Sequence, residues 1–210
     1  MRLGVFGGSF DPVHTGHLLL AEACREGAAL DRVLFVPAAR APHKPDGPRA
    51  DGRHRVEMLS LAVGGHDAFA VSTVELDRGG VSYTVDTLDA LRAAHPGATL
   101  HLILGPDSLA QFATWRDPVG ILARARIVAV ARAGVDDVAT TCRTAGLDRW
   151  LNADGVATLV AEQVAIPAVD LRSSTIRALL AAGRSIRYQV PRAVERYVAE
   201  RGLYRGAAPA

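Results

Sequence analysis

Two histidines directly follow a glycine-rich turn near the start of the chain. His14 and His17 are three residues apart, so they share one face of a helix that begins near Thr15. A short apolar strand ends ahead of them at the paired glycines Gly7 and Gly8, where the missing Cβ lets a bound group approach the backbone closely. The first N–H groups and the partial positive charge of the helix point at the same place. Together these features predict an anion site.

The glycine turn matches neither common phosphate-binding motif, because G-x-x-x-x-G-K-[ST] and G-x-G-x-x-G are both absent. The histidines would then replace the P-loop lysine. A bare H-x-x-H is more often two incidental surface histidines on a tight turn, but residues 7–17 read Gly-Gly-Ser-Phe-Asp-Pro-Val-His-Thr-Gly-His. This segment resembles the signature of the nucleotidyltransferase superfamily with an H-x-G-H motif. Its Gly-Gly-Ser-Phe-Asp-Pro-Val-His part is similar to that of bacterial nicotinate-nucleotide adenylyltransferases.

The resemblance implies transfer of AMP from ATP to nicotinate mononucleotide, which forms nicotinate adenine dinucleotide and pyrophosphate in NAD biosynthesis. Mg²⁺ is expected with ATP, held mostly by phosphates and water, so no dedicated protein metal site is predicted. His14 and His17 are assigned to the ATP phosphates, and Lys44 and Arg177 to the leaving pyrophosphate. The nucleotide is expected to lie against the turn formed by Gly7, Gly8, Ser9 and Phe10.

Two further segments are assigned by the same resemblance. Lys44 in the Pro-His-Lys-Pro loop of residues 42–45 could reach a phosphate as a point charge, although such a loop taken alone is more often a solvated basic turn. In the family this segment contributes to the phosphate-binding wall, which includes His43.

Residues 82–88, Ser-Tyr-Thr-Val-Asp-Thr-Leu, open a helix and could simply cap it. The resemblance makes Tyr83 and Thr84 contacts of the pyridine nucleotide.

An aspartate and a tryptophan follow the end of another predicted strand. Asp107 is suited to ribose hydroxyls, and Trp115 could stack on a flat ring or could merely cover the surface. The stretch resembles the family's Gly-x-Asp-Ser-Leu-x-x-Phe-x-x-Trp, in which the tryptophan stacks on the nicotinate ring. Arg116 stands where the family often has an aromatic residue; it could attract a carboxylate, but stacking at that position would be lost.

A helix near the end of the chain begins with two hydroxyl residues and carries an arginine one turn later. Ser173, Ser174 and Arg177 could form a second phosphate clamp at this helix start, or an ordinary cap with a solvated arginine. The family pattern Ile-Ser-Ser-Thr-x-Ile-Arg favours the clamp, although Arg172 replaces the first serine.

Strands alternating with helices predict an α/β fold, a doubly wound and mostly parallel sheet of the Rossmann-like nucleotidyltransferase type. Residues 1–210 are expected to form a single domain with a small C-terminal helical subdomain at about 170–205. Ligands would lie beyond the carboxyl ends of the strands, where the strand order reverses. The predicted strands are the one ending at Gly7-Gly8 and residues 32–37, 68–76, 99–104, 126–131, 156–160 and 164–166. The predicted helices are 15–29, 53–64, 84–94, 108–114, 118–124, 135–147, 173–182 and 191–201.

The bulk composition narrows the class of protein. The 210 residues carry a net charge of +2 and no long basic run, so we expect no nucleic-acid partner. No apolar run is long enough for a membrane span, and two widely separated cysteines, Cys24 and Cys142, suit a reducing cytoplasm. We therefore expect a cytoplasmic monomer or homodimer that acts on small molecules.

Three alternatives stay open at this point. The chain could act on nicotinamide mononucleotide, because the contact that separates an acid from an amide is not visible in the sequence. It could be a phosphopantetheine adenylyltransferase, which shares the first motif but lacks the segments at 82–88 and 105–115. It could also be a non-catalytic nucleotide-sensing module on the same fold.

Overall fold

The computed structural model describes residues 1–40, 47–132 and 137–205. Within them the chain forms one sheet of six strands in the order β3-β2-β1-β4-β5-β6, and every neighbouring pair is parallel. The strands are β1 (Arg2–Gly8), β2 (Arg32–Pro37), β3 (Phe69–Val71), β4 (Thr99–Leu104), β5 (Ala125–Arg132) and β6 (Val164–Ile166). The strand order reverses between β1 and β4, as the predicted doubly wound fold requires.

Ten helices and two short 3₁₀ segments connect these strands in the described ranges. The helices are α1 (Thr15–Gly27), α2 (Gly52–Val63), α3 (Val74–Arg78), α4 (Thr84–Ala94), α5 (Pro106–Gln111), α6 (Pro118–Arg124), α7 (Val138–Thr144), α8 (Ala153–Ala161), α9 (Ser173–Ala181) and α10 (Arg192–Glu200). The 3₁₀ segments are Phe112–Thr114 and Leu147–Arg149. None of the helices in this part of the chain has the length and apolarity needed to cross a membrane.

The sheet is apolar on both faces because successive side chains of its central strands alternate between two cores. From β1, Leu3 and Val5 enter one core and Phe6 the other. Helices α1, α2, α9 and α10 cover the Phe6 face, and α4 to α8 cover the opposite face. The predicted α/β class is therefore confirmed, and α4 and β4 have the predicted bounds. The division of the chain into domains stays a prediction.

The strand predicted at 68–76 is wrong beyond its first residues. Its last ladder bond runs from the N–H of Ser72 to the carbonyl of Phe35, and the chain then forms α3. Thr73 donates its hydroxyl to Asp77 at 2.7 Å, which holds the first turn of this short helix. The apolar residues of 74–76 suggested a strand, but local hydrogen bonding and the burial of Glu75 decide the conformation.

The strand predicted at 156–160 is also wrong, because these residues lie in α8. The side-chain oxygen of Asn152 accepts a hydrogen bond of 2.8 Å from the N–H of Gly155 and so caps the helix. Val156, Leu159 and Val160 have helical spacing and pack on one core. The helix predicted at 135–147 ends earlier than expected, because α7 (Val138–Thr144) stops at Thr144. Its predicted start falls among residues 133–136, which lie outside the described ranges.

Candidate active site

The predicted phosphate-binding turn lies at the carboxyl end of β1, beside the point where the strand order reverses. Gly8 is the last residue of β1 and is in register with Pro37 at the end of β2. Residues 9–14 then cross the edge of the sheet and lead into α1. The turn, the start of α1 and the end of β2 therefore meet at the edge where ligands bind in open α/β sheets.

The two histidines form a stacked pair at the start of α1. Their ring centroids are 3.6 Å apart, and the ring planes are inclined by 23°. The backbone N–H of His14 donates to Nδ1 of His17 at 3.1 Å. Since Nδ1 of His17 is an acceptor, the proton of its neutral ring must sit on Nε2. This hydrogen bond fixes both the tautomer and the orientation of His17.

His14 is buried, and one of its ring nitrogens makes no hydrogen bond to the described residues. Burial lowers the pKa of His14 from 6.5 to about 4, so its imidazole is neutral at neutral pH. Its Nδ1 has no hydrogen-bond partner within the described parts of the chain. A buried polar atom without a partner is rare in proteins and is destabilising unless a ligand or water satisfies it.

The two glycines of the turn differ in what surrounds them. A Cβ on Gly7 would have no atom within 4 Å in the described structure, whereas a Cβ on Gly8 would come within 3.0 Å of the Phe10 ring. Phe10 itself has φ 47° and is 1% exposed, with its ring centroid 5.0 Å from that of His17. The open space is therefore at Gly7, and the Phe10 side chain belongs to the core.

Helix α9 reaches the same turn from the C-terminal part of the chain. Ser173 donates its hydroxyl to the carbonyl of Pro12 at 2.9 Å, and Nη1 of Arg177 donates to the carbonyl of Asp11 at 2.7 Å. Ser174 is exposed beside them, and Arg172 pairs with Asp170 at the surface. The structure thus brings Ser173 and Arg177 of α9 to the turn that precedes α1.

The residues assigned to the pyridine nucleotide form a second group. Tyr83 immediately precedes α4, which begins at Thr84, and the guanidinium carbon of Arg116 lies 4.6 Å from the centre of the Tyr83 ring. Arg116 is also 3.8 Å from a carboxylate oxygen of Asp86, and both side chains are largely exposed. Trp115 is partly buried against Phe112, with ring centroids 5.7 Å apart.

Other assigned residues are either exposed or outside the described ranges. Asp107 is exposed in the first turn of α5, directly after β4. His43 and Lys44 lie in residues 41–46, outside the described ranges. Within those ranges, no three or more His, Cys, Asp or Glu side chains are grouped so that they could hold a metal ion.

Several buried polar residues beside these groups were not assigned from the sequence. They are the buried Asp11, Arg55, Glu75 and Thr87 and the partly buried Tyr204. One signal was available for Arg55, because it shares the buried face of α2 with Met58 and Leu59, three and four residues on. A charged residue in a core position suggests a buried hydrogen-bonding role.

Comparison with known proteins agrees with the geometry. The cytidylyltransferase-like family matches residues 5–179. A protein of Thermus thermophilus named probable nicotinate-nucleotide adenylyltransferase is 45% identical, covering 98% of this chain and 100% of its own. One of the same name from Thermomicrobium roseum is 42% identical, covering 97% of this chain and 92% of its own.

The fold also matches solved structures. Nicotinic acid mononucleotide adenylyltransferase of Plasmodium falciparum, complexed with NaAD, superimposes with a TM-score of 0.70 at 16% identity, covering 97% of each chain. The same enzyme complexed with APC has a TM-score of 0.70 at 15% identity, covering 97% of this chain and 96% of that one. At this identity the likeness shows the shared fold, while the curated relatives show the family. The chain belongs to the nicotinate-nucleotide adenylyltransferase family.

Proposed function

We propose that the protein transfers AMP from ATP to nicotinate mononucleotide, with pyrophosphate as the second product. The observation that carries this proposal is the stacked His14–His17 pair, which faces the turn after β1 at the helix start. The family membership of the whole chain supports the choice of substrates.

The reaction needs no nucleophile from the protein. A phosphate oxygen of the mononucleotide attacks the α-phosphorus of ATP, a new P–O bond forms, and the bond to the β-phosphate oxygen breaks. Pyrophosphate leaves with that electron pair. The protein has to align the attacking and leaving oxygens and to neutralise the charge that develops between them.

We assign the neutralising groups to the turn and to α9. Nε2 of His17 carries the proton of the neutral ring and would donate to an ATP phosphate, and an anion beside His14 would favour its protonated form. Gly7 leaves the backbone open to a close approach, and we assign Gly8 and Ser9 to the same turn. Phe10 takes part only through its backbone, because its ring is in the core. Around the leaving pyrophosphate we place the hydroxyl and cationic residues Ser173, Ser174, Arg177 and Lys44.

The mononucleotide would occupy the group at the start of α4. Tyr83 and Thr84 supply a helix start, and Trp115 supplies a flat aromatic surface. Asp107 is assigned to ribose hydroxyls, and His43 to the substrate. Arg116 adds an exposed cation beside the Tyr83 ring, which favours a ligand that carries a carboxylate.

Mg²⁺ is proposed to arrive with ATP. The donors at the site are imidazole, hydroxyl, guanidinium and backbone N–H groups, whereas Mg²⁺ prefers oxygen ligands and retains water. Phosphate oxygens would hold the ion, and it would neutralise phosphate charge. We also propose a cytoplasmic location and a monomer or homodimer; both cysteines are unpaired and buried, which suits a reducing compartment.

The deciding experiment is pyrophosphate release with ATP and Mg²⁺ and one acceptor at a time. Nicotinate mononucleotide, nicotinamide mononucleotide and phosphopantetheine are offered separately, and a strong preference for the first is expected. A preference for the amide or for phosphopantetheine would replace the proposed substrate. Turnover of none of them, with ATP still bound, would support a nucleotide-sensing module.

A further inference from the structure

The side chain of Asp11 is the centre of a buried hydrogen-bond network under the phosphate-binding turn. It is 2% exposed. Its Oδ2 accepts from the N–H of Arg49 at 2.7 Å, and its Oδ1 accepts from the N–H of Ala50 at 3.0 Å. The hydroxyl of Tyr204 donates to the same Oδ1 at 2.6 Å. A buried carboxylate with this many donors fixes the position of the backbone that carries it.

Tyr204 reaches this position with a strained backbone. Its φ is 62°, in the left-handed region that bulky residues rarely adopt. Burial, with the Asp11 carboxylate next to it, raises the pKa of Tyr204, so the phenol keeps its proton and donates. Strained backbones persist where the surrounding structure over-determines them, and they cluster at functional sites.

The backbone of Asp11 in turn orients Arg177. Nη1 of Arg177 donates to the Asp11 carbonyl at 2.7 Å and lies 3.6 Å from Oδ2. A second buried residue holds the start of the turn: Nη1 of Arg55 donates to the carbonyl of Ser9 at 2.9 Å. The guanidinium of Arg177, which we assign to pyrophosphate, is therefore oriented by Asp11. Asp11 is in turn held by the Tyr204 hydroxyl and by the backbone N–H groups of residues 49 and 50.

We propose that Tyr204 and Asp11 are positioning residues, which hold the turn before α1 and the guanidinium of Arg177 in the geometry that binds the ATP phosphates. The proposal rests on the proposed function, since it assigns Arg177 to those phosphates. A purely structural role for the Tyr204 hydrogen bond would affect folding stability alone, whereas a positioning role also weakens ATP binding in protein that is fully folded.

The chain offers a matched control for the Tyr204 hydroxyl. Tyr197 in α10 is also partly buried, and its hydroxyl is 2.8 Å from Nδ1 of His54 in α2. Like the Tyr204 hydrogen bond, it joins the C-terminal part of the chain to residues on the Phe6 face of the sheet, but it does not involve the turn before α1. Tyr204→Phe and Tyr197→Phe each remove one hydroxyl and keep the ring, so both variants are expected to fold.

The experiment measures melting temperature and the affinity for a non-hydrolysable ATP analogue with Mg²⁺, by calorimetry at a temperature where all variants are folded. We expect both variants to melt a few degrees lower, but only Tyr204→Phe to bind the analogue about tenfold more weakly. Equal, unchanged affinity in the two variants would overturn the proposal. Should Tyr204→Phe fail to fold, Asp11→Asn, which keeps the shape of the side chain, serves in its place under the same criterion.

A double-mutant cycle tests whether Tyr204 acts through Arg177. In an Arg177→Met background, Tyr204→Phe should change analogue affinity less than twofold. Full additivity of the two losses would show that Tyr204 does not act through Arg177. Because calorimetry needs no acceptor substrate, absence of turnover with nicotinate mononucleotide would overturn the proposed function while these binding measurements still decide the positioning role.

Discussion

Gly16 lies so close to the ring of His14 that a Cβ on this glycine would come within 3.1 Å of Nδ1. Glycine is therefore needed at position 16 because the His14 ring leaves little room for a Cβ. Backbone conformation is not the reason, since the φ of Gly16 is outside the left-handed region. Any larger residue must displace the His14 ring by a few tenths of an ångström. That ring is stacked on His17, so the displacement would reach both histidines.

Gly16→Ala is expected to separate stability from activity. Alanine stabilises a helix by up to about 1 kcal/mol relative to glycine, so the melting temperature should stay level or rise. Turnover should fall at least tenfold, because the stacked pair shifts. The control is Gly155→Ala, which is also in the first turn of a helix and has its closest atom at 3.2 Å. Full activity of Gly16→Ala in a steady-state assay would contradict the proposed role of the pair.

Substitutions of His17 can distinguish its two hydrogen-bonding atoms. Asparagine places an oxygen near the position of Nδ1, so His17→Asn can still accept from the N–H of His14. It lacks the donor at Nε2, and we expect loss of most turnover with little change in melting temperature. His17→Ala loses both atoms and should also melt lower. Near-normal turnover in His17→Asn would remove His17 from the phosphate site.

Acid should destabilise the fold through His14. Its pKa is lowered by burial to about 4, so between about pH 6.5 and 4 the unfolded chain binds a proton that the folded chain excludes. Stability is then lost as the pH falls through that window, by roughly 3 kcal/mol in all. Burial also lowers the pKa of His101, so part of the acid sensitivity has another source. Urea unfolding of His14→Asn at pH 7 and pH 5 should show a smaller difference than in the wild type.

ATP should reverse part of this effect. A phosphate next to His14 favours the protonated imidazole, so binding near pH 5 should take up protons. Calorimetry in two buffers of different ionisation enthalpy measures that uptake directly. His14→Asn should reduce the uptake, and an equal uptake in the variant would show that the proton goes elsewhere.

The start of α4 depends on a buried carboxylate. Thr87 donates its hydroxyl to Glu75 at 2.7 Å, and Glu75 is 7% exposed. Thr87→Val keeps the shape but leaves this carboxylate without the donor, which should cost about 1–3 kcal/mol or more. Thr87→Ser retains the hydroxyl and should cost clearly less. Denaturant unfolding of the two variants checks the prediction, and equal stability would contradict it.

Arg116 should contribute to the preference for an acid substrate. Its guanidinium lies over the Tyr83 ring and is 59% exposed. Replacing it with glutamine should lower kcat/KM for nicotinate mononucleotide about tenfold and change that for nicotinamide mononucleotide little. Arg92→Gln, at an exposed position in the last turn of α4, is the control. An unchanged ratio of the two kcat/KM values would show that backbone groups alone decide the preference.

The sequence was sufficient to predict the strands and helices that have a regular local pattern of apolar residues. Apolar runs of four to six residues and helical spacing were sufficient for β4 and α4. Prediction failed in the second half of 68–76 and at 156–160, where β-branched and apolar residues lie in α3 and α8. There local side-chain hydrogen bonds decided the structure, because Asn152 caps α8 and Thr73 donates to the side chain of Asp77 in α3.

The site itself was only partly predictable for a related reason. The spacing predicted that His14 and His17 lie close together. In the structure His14 is the N-cap of α1 and His17 is the third residue of the helix, so the pair forms at the helix start. The contacts of Asp11 join it to residues 38, 39 and 193 positions away. No periodic pattern connects positions so distant, and only the folded chain brings them together.

The contact between Asp11 and Tyr204 also bears on synthesis of the protein. The ribosome makes the turn and both histidines before it makes Tyr204, whose hydroxyl reaches Asp11 from 193 positions later in the chain. During translation the nascent chain would carry the two histidines that we assign to phosphate without the hydrogen bond from Tyr204. Nucleotide binding at full strength would therefore begin only once residue 204 has left the exit tunnel and its hydroxyl has reached Asp11.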